Sequence, residues 1–303
     1  AGHLSGSAAI CIGGISIGSL LFDMLYWNFS FLRIGTGGMT AQAYGRDDMS
    51  AAAATLIRSV FVSMLIAISC ILIQWAFVDF VFLFVKCSPD VRALAETYFH
   101  IRIWAAPATL TLMALKGWFI GMQNSVIPMA TDLIVNGMNI AGSIILAMGL
   151  PALGFSGIGF PGISVGTVAA QYSGLLFAVS MLMLRYRKKV FAGFSLKDAR
   201  ESFTGHEMKR FFNLNADLFI RSLAIMGIYA GITVISARYG DMMLAVSSIL
   251  VQLMMIFSYF TDGFAYAGEA LTGKFIGRRD KPAVRQTVRS VFAWSMGVAA
   301  VFM

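Results

Sequence analysis

A chain of 303 residues that is 58% hydrophobic and 13% charged, with a mean hydropathy of +0.77, lies far from the roughly 25% charged composition of soluble domains. Its net charge of +8 would suit a nucleic-acid partner, but the basic residues sit in short links between apolar runs and form no amphipathic or aromatic-interleaved surface, which excludes that class. Apolar runs of about 20 residues recur along the whole length, enough to cross a hydrocarbon core of about 30 Å, so the fold class is an all-α, polytopic helical protein of the lipid bilayer.

In chain order the predicted spans lie near 9–44, 52–78, 94–121, 126–149, 160–184, 209–236, 243–276 and 284–303. The first is too long for one straight crossing and is expected to tilt or to break at its glycines. Alternate links are basic: Arg46 beside two aspartates; then Arg185, Arg187, Lys188, Lys189, Lys197, Arg200, Lys209 and Arg210; then Arg278, Arg279, Lys281 and Arg285. The positive-inside rule puts these links in the cytoplasm. The link 185–208 is the longest and most polar, and it divides an N-terminal lobe, 1–184, from the start of a C-terminal lobe, 209–303. The chain opens with AGHLSGSAA, with neither an initiator methionine nor a basic leader, and closes on VFAWSMGVAAVFM inside an apolar run, so both ends are expected to be cut.

Residues 31–48, FLRIGTGGMTAQAYGRDD, crowd an arginine, glycines, threonines and a glutamine into an apolar run. A relative lies 232 positions downstream: GFAYAGEALTGKFIGRRD, 263–280, matches at Thr40 and Thr272, Gly45 and Gly277, Arg46 and Arg278, Asp48 and Asp280. One gap later, RSVF at 58–61 recurs at 289–292. The two stretches are six spans apart with the same cytoplasmic end. They predict a duplicated six-helix unit whose two copies run parallel about an axis along the membrane normal. Two complete copies need about 460 residues, so only part of the second is present.

Several motifs are set aside. Gly157, Gly159 and Gly162 spell G-x-G-x-x-G without a preceding strand, and GEALTGKF at 268–275 lacks the hydroxyl of a phosphate loop and lies in an apolar helix. Neither a catalytic constellation nor metal-ligand spacing is present; Cys11, Cys70 and Cys87 read as packing residues, and His3, His100 and His206 are scattered. Five glycine pairs, GISIG at 14–18, GWFIG at 117–121, GISVG at 162–166, GIYAG at 227–231 and GKFIG at 273–277, put small residues on one helix face, the means by which helices approach closely in lipid.

FLRIGTGGMTAQAYGRDD, GWFIGMQNSVIPM, NADLFIRSLAI and DGFAYAGEALTGKFIGRRD together resemble the multidrug and toxic compound extrusion (MATE) family, in its DinF-type branch, over essentially the whole chain and in order. The resemblance implies twelve helices in two pseudo-symmetric six-helix lobes facing a central cavity, with the eight spans here standing for the second to ninth. It implies export of organic compounds in exchange for protons or sodium ions. Two departures stand out: the chain begins just after the helix that carries a coupling carboxylate in many members, and the asparagine–aspartate pair of the fifth helix in some members corresponds to Asn139 and Ser143, which leaves coupling through that aspartate in doubt.

A charge near a helix centre costs about 2.5–3.5 kcal/mol on insertion scales, so each needs water, a partner or a function. Arg33 stands twelve residues before Gly45, or roughly 18 Å from the cytoplasmic end; it is either bonded to neighbouring carbonyls or a cavity charge. Asp217 and Arg221, at i and i+4, share a helix face and read as an ion pair that protonation or a competing cation could break. Asp262 and Glu269 lie two turns apart with Tyr266 nearly between them, a face that could line an aqueous cavity and attract cations. Asn136, Asn139 and Thr167 suit interhelical hydrogen bonds or ligand contacts. Lys116 is expected to snorkel, and Asp132 to favour the dipole of its helix start.

The functional expectation is therefore a monomeric secondary active exporter, not an enzyme, in the bacterial inner membrane. It would exchange cationic or amphipathic organic compounds for H+ or Na+ and need no other cofactor. A lipid-linked oligosaccharide flippase of the same superfamily and a nontransporting receptor or scaffold are the alternatives.

Overall fold

In a computed structural model, residues 8–150, 154, 156–190, 203, 205–239 and 241–302 are described. Among them there is no β-strand. Ten α-helices follow the apolar runs: α1 (Ala8–Tyr26), α2 (Phe31–Gly45), α3 (Met49–Phe82), α4 (Pro89–Arg102), α5 (Ala106–Gly121), α6 (Val126–Met148), α7 (Pro161–Val190), α8 (Gly205–Arg238), α9 (Asp241–Gly277) and α10 (Lys281–Phe302).

Two predicted spans are pairs of helices. A 3₁₀ turn at Trp27–Phe29 separates α1 from α2, and another at Ile103–Ala105 separates α4 from α5. The second has a covalent cause, because Pro107 offers no N–H and its ring crowds the preceding turn. The first corrects the expectation of a break at the glycines. It falls at WNFS instead, where Asn28 Nδ2 donates to the Met24 carbonyl at 2.8 Å, a local side-chain bond that competes with regular helix geometry.

Seven segments are long and apolar enough to cross a membrane among the described residues, where eight were expected. The eighth, α10, is helical, but Lys281, Arg285 and Arg289 occupy its first half. Large apolar side chains face outward along these helices, among them Leu72 and Trp75 on α3 and Leu133 and Ile140 on α6. That surface suits hydrocarbon and not water. The protein is an integral membrane protein.

The lobe boundaries expected at 184 and 209 fall inside helices. α7 carries Arg185, Arg187 and Lys188 on its last turns to Val190, where cations favour the helix dipole, and α8 starts at Gly205. Of the link between them, 191–202 and 204 lie outside the described residues.

In the N-terminal half α1 packs on α4, α2 on α5 and α3, and α6 on α7. One core joins Phe22, Leu32, Phe99, Ile103 and Leu110. A second gathers around Trp118 and Phe119 on α5 with Tyr186 on α7, and Trp118 Nε1 donates to the Ala52 carbonyl at 2.9 Å. Four of the five glycine pairs mark close approaches. Gly14 and Gly18 meet Leu94 and Tyr98; Gly117 and Gly121 meet the backbone of α2; Gly162 and Gly166 meet that of α6; Gly273 and Gly277 meet α2. At Gly227 and Gly231 a Cβ would touch nothing within 4 Å.

The duplication is visible bond for bond in the turn that ends α2 and α9. Asp47 and Arg279, 232 positions apart, adopt left-handed φ of 60° and 59°. The Asp48 N–H reaches the Ala43 carbonyl at 3.0 Å, as Asp280 reaches Phe275 at 3.0 Å; Asp47 reaches Tyr44 at 3.1 Å, as Arg279 reaches Ile276 at 3.0 Å. These are two Schellman closures. Asp48 Oδ1 then accepts from the Ala51 N–H at 2.9 Å and Asp280 Oδ1 from that of Ala283 at 3.1 Å, each capping the next helix.

Candidate functional site

Faces of the α1–α2 segment, α8 and α9, with Met113 of α5 and Val288, Val291 and Phe292 of α10, converge on a cavity of about 860 Å³. From α1, the 3₁₀ turn and α2 come Asp23, Tyr26, Trp27, Ser30, Arg33 and Ile34; from α9 come Met255, Ser258, Tyr259, Asp262, Ala265 and Tyr266, then Glu269 and Thr272. The first six positions of each series are related by the same 232-residue shift. Spacings of three and four residues keep each set on one helical face, so the duplicated unit builds both walls with the same stripe. Helix α8 adds Leu218, Arg221, Ser222, Ile225 and Tyr229, again at helical spacing.

The walls differ in their charges. Arg33 projects from α2 so that its guanidinium carbon stands 3.8 Å from the centroid of the Tyr266 ring. Its Nη1 is 4.0 Å from Glu269 Oε2, with the two side chains 18% and 20% exposed. An aromatic face and a carboxylate thus hold one cation between the halves, and in a partly dry site each contact is stronger than on a wet surface. Two glycines make this possible. The Arg33 carbonyl fills the place a Cβ would need at Gly117 on α5, which fixes the backbone of α2, and a Cβ at Gly37 would stand 2.5 Å from Glu269 Oε1.

Past Glu269, toward the basic links, α2 and α9 meet backbone to backbone. The Lys274 carbonyl occupies the Cβ position of Gly45, and the Gln42 carbonyl that of Gly277. These contacts are reciprocal under the 232-residue shift, and Gly273 sits 2.7 Å, by its Cβ position, from the methyl of its own counterpart Ala41. The local two-fold axis of the repeat runs through this crossing.

Of the residues singled out from sequence, the cavity collects Arg33, Arg221, Asp262, Tyr266 and Glu269. Asp217 is exposed on α8 and is not among the lining residues. The expected Asp217–Arg221 ion pair is absent from those formed by the described residues. Helical spacing permits that pair, but Arg221 turns to the cavity lining and Asp217 does not. Asn139, Ser143 and Thr167 lie elsewhere, at the seam of α6 and α7: Asn139 Nδ2 donates to Thr167 Oγ1 at 2.9 Å and Ser143 Oγ to the Ile163 carbonyl at 3.2 Å. Lys116 and Asp132, expected to act separately, form an ion pair between α5 and α6.

Sequence reasoning passed over several residues. Ser30 and Ser222 face each other across the halves, hydroxyls 3.4 Å apart, and the Trp27 and Tyr229 rings meet edge to face at 6.4 Å. Asn215, 3% exposed on α8, donates from Nδ2 to the Phe211 carbonyl and fills the space left by Gly35. The repeat held the usable signal: extending the register of 33 and 265 by three and four residues picks out the whole stripe.

Comparison with known proteins agrees with this architecture. Residues 1–145 match the sequence model of the MatE family. The chain is 32% identical over 301 residues to the DNA damage-inducible protein F of Escherichia coli (strain K12), covering 99% of this chain and 63% of that protein. It is 24% identical over 263 residues to the probable multidrug resistance protein NorM of Rhizobium meliloti (strain 1021), covering 87% and 55% respectively. A crystal structure of MATE in the bent conformation superposes with a TM-score of 0.81 at 17% identity, over 97% of this chain and 62% of the other. The chain thus spans somewhat under two thirds of the length of these proteins. The first part of the chain thus matches the MatE family in sequence, and nearly its whole length shares the fold of a solved MATE structure.

Proposed function

We propose that the chain is the larger part of a secondary active exporter of the bacterial inner membrane, which moves organic compounds outward in exchange for H+ or Na+ by alternating access. The observation that carries this reading is the cavity between the two copies of the repeat, with Asp262 and Glu269 on one wall, Arg33 on the other, and backbone contact of α2 with α9 past its floor. A relative named for multidrug resistance supports the substrate class. Three carboxylates, Asp23, Asp262 and Glu269, outnumber two guanidiniums, Arg33 and Arg221, in the lining. That balance favours cationic or amphipathic compounds over the anionic headgroup of a lipid-linked oligosaccharide.

For ion entry to drive the cycle, the ion must bind one state of the cavity more tightly than the other. The carboxylates of this wall, Glu269 beside the crossing and Asp262 two turns before it, are placed to make that difference. Replacing Asp262 and Glu269 together by Asn and Gln in the full-length protein abolishes ion-driven efflux from cells and ion-dependent flux in proteoliposomes. Unchanged efflux with normal membrane levels rejects the role.

A further inference from the structure

The repeat predicts equivalent walls, yet the pairing at the cavity floor is one-sided. Arg33 corresponds to Ala265 and Tyr266 to Ile34 under the 232-residue shift, so only one guanidinium and one aromatic face meet there. The seat they make with Glu269 has the chemistry that recognises an organic cation: a ring at 3.8 Å and a carboxylate at 4.0 Å. Arg33 fills it with a side chain of the protein itself.

We propose that Arg33 is a tethered competitor for this seat, and that a lipophilic organic monocation binds by displacing its guanidinium from Tyr266 and Glu269. This rests on the reading of the cavity as the substrate site. The α2 backbone is held by Gly117 against the Arg33 carbonyl, so only the side chain needs to move. Its flexible stem lines the same cavity as a second carboxylate, Asp262, one turn before Tyr266 on the same face of α9. The displaced guanidinium therefore stays in a cavity that holds another carboxylate and is not stranded in an apolar wall. Arg33 thereby sets a threshold: a cation gains the seat only when its own stacking and apolar contacts exceed those of the arginine. Arg221, on α8, is exposed and free of this competition, since neither Tyr266 nor Glu269 pairs with it among the described residues.

The test uses the full-length protein in detergent and tetraphenylphosphonium as the probe, titrated calorimetrically. Arg33→Met and Arg33→Gln tighten binding by about tenfold relative to wild type, and adding Glu269→Gln to Arg33→Met removes the gain. Affinity that is unchanged, weaker or undetectable in folded Arg33 variants overturns the proposal. The wild-type protein gives a second readout that needs no variant. Saturating tetraphenylphosphonium accelerates modification of Arg33 by butanedione, followed by mass spectrometry, because the released guanidinium is exposed; slower modification means that the ligand covers Arg33 in place and overturns displacement. Ion-driven flux by the wild type is read separately. Its absence overturns the exporter reading, whereas failure of the Arg33 measurements overturns this inference alone.

Discussion

The segment α1–α2 and the helix α9 are two copies of one design, and they have diverged in an informative way. Each presents six cavity positions in the same register, ends in the same Schellman turn, and passes through the same crossing. Backbone requirements are held in common: a glycine where a carbonyl presses in, a left-handed residue to close the helix, an aspartate to start the next. Side chains facing the cavity are not. Ser30 stands where the other copy has Asp262, Arg33 where it has Ala265, and Gly37 where it has Glu269. The crossing tolerates one geometry only, because close-packed backbone has no slack. The cavity-facing stripe is free to change chemistry, and there the charges are divided between the walls.

The sharpest way to break this comparison is to remove the polar groups of each copy in turn. Asp262→Asn with Glu269→Gln should eliminate ion-driven efflux, while Ser30→Ala, the equivalent site of the other wall, should leave the rate within about fivefold, since a weakly placed hydroxyl contributes about 1 kcal/mol or less. Equal losses from both would mean that the asymmetry has no functional weight.

The crossing should respond symmetrically. Gly45→Ala and Gly277→Ala each drive a Cβ into a carbonyl of the opposite helix and should cost about 1–3 kcal/mol apiece, seen as a lower Tm in detergent. Gly38→Ala, whose Cβ meets nothing within 4 Å, should not lower it. A selective fall for one of the two crossing glycines would show that the local axis is not a mechanical equivalence.

Smaller effects follow at the turns. Asp48→Ala and Asp280→Ala remove matching caps, and each should destabilise by about 0.5–2 kcal/mol. Arg279→Gly should stabilise by up to about 1 kcal/mol, because glycine relieves the left-handed backbone. Asp47→Gly should gain less, since aspartate tolerates that region better. Both are measurable as shifts in denaturation midpoint.

Much of this architecture was legible in the chain. Long apolar runs dictated membrane helices because only internally bonded backbone survives in hydrocarbon. The 232-residue repeat announced the duplication, and the spacing of Asp262, Tyr266 and Glu269 placed them on one face. Other readings depended on neighbours that a sequence does not display. Asp217 and Arg221 share a face, yet Arg221 lines the cavity and Asp217 does not. Asn139, Ser143 and Thr167 are polar in an apolar context, yet bond across the α6–α7 seam. The break in the first span followed Asn28 and not the glycines.

Local covalent chemistry and periodicity, then, determined which segments are helices, which residues share a face, and that one unit occurs twice. Tertiary structure alone decided that Arg33 reaches Tyr266 and Glu269 across the halves, and that α2 and α9 touch through their backbones. Such contacts depend on the rotation and depth of one helix against another. A helix's own sequence specifies its faces, but the packing of all its neighbours fixes where those faces point.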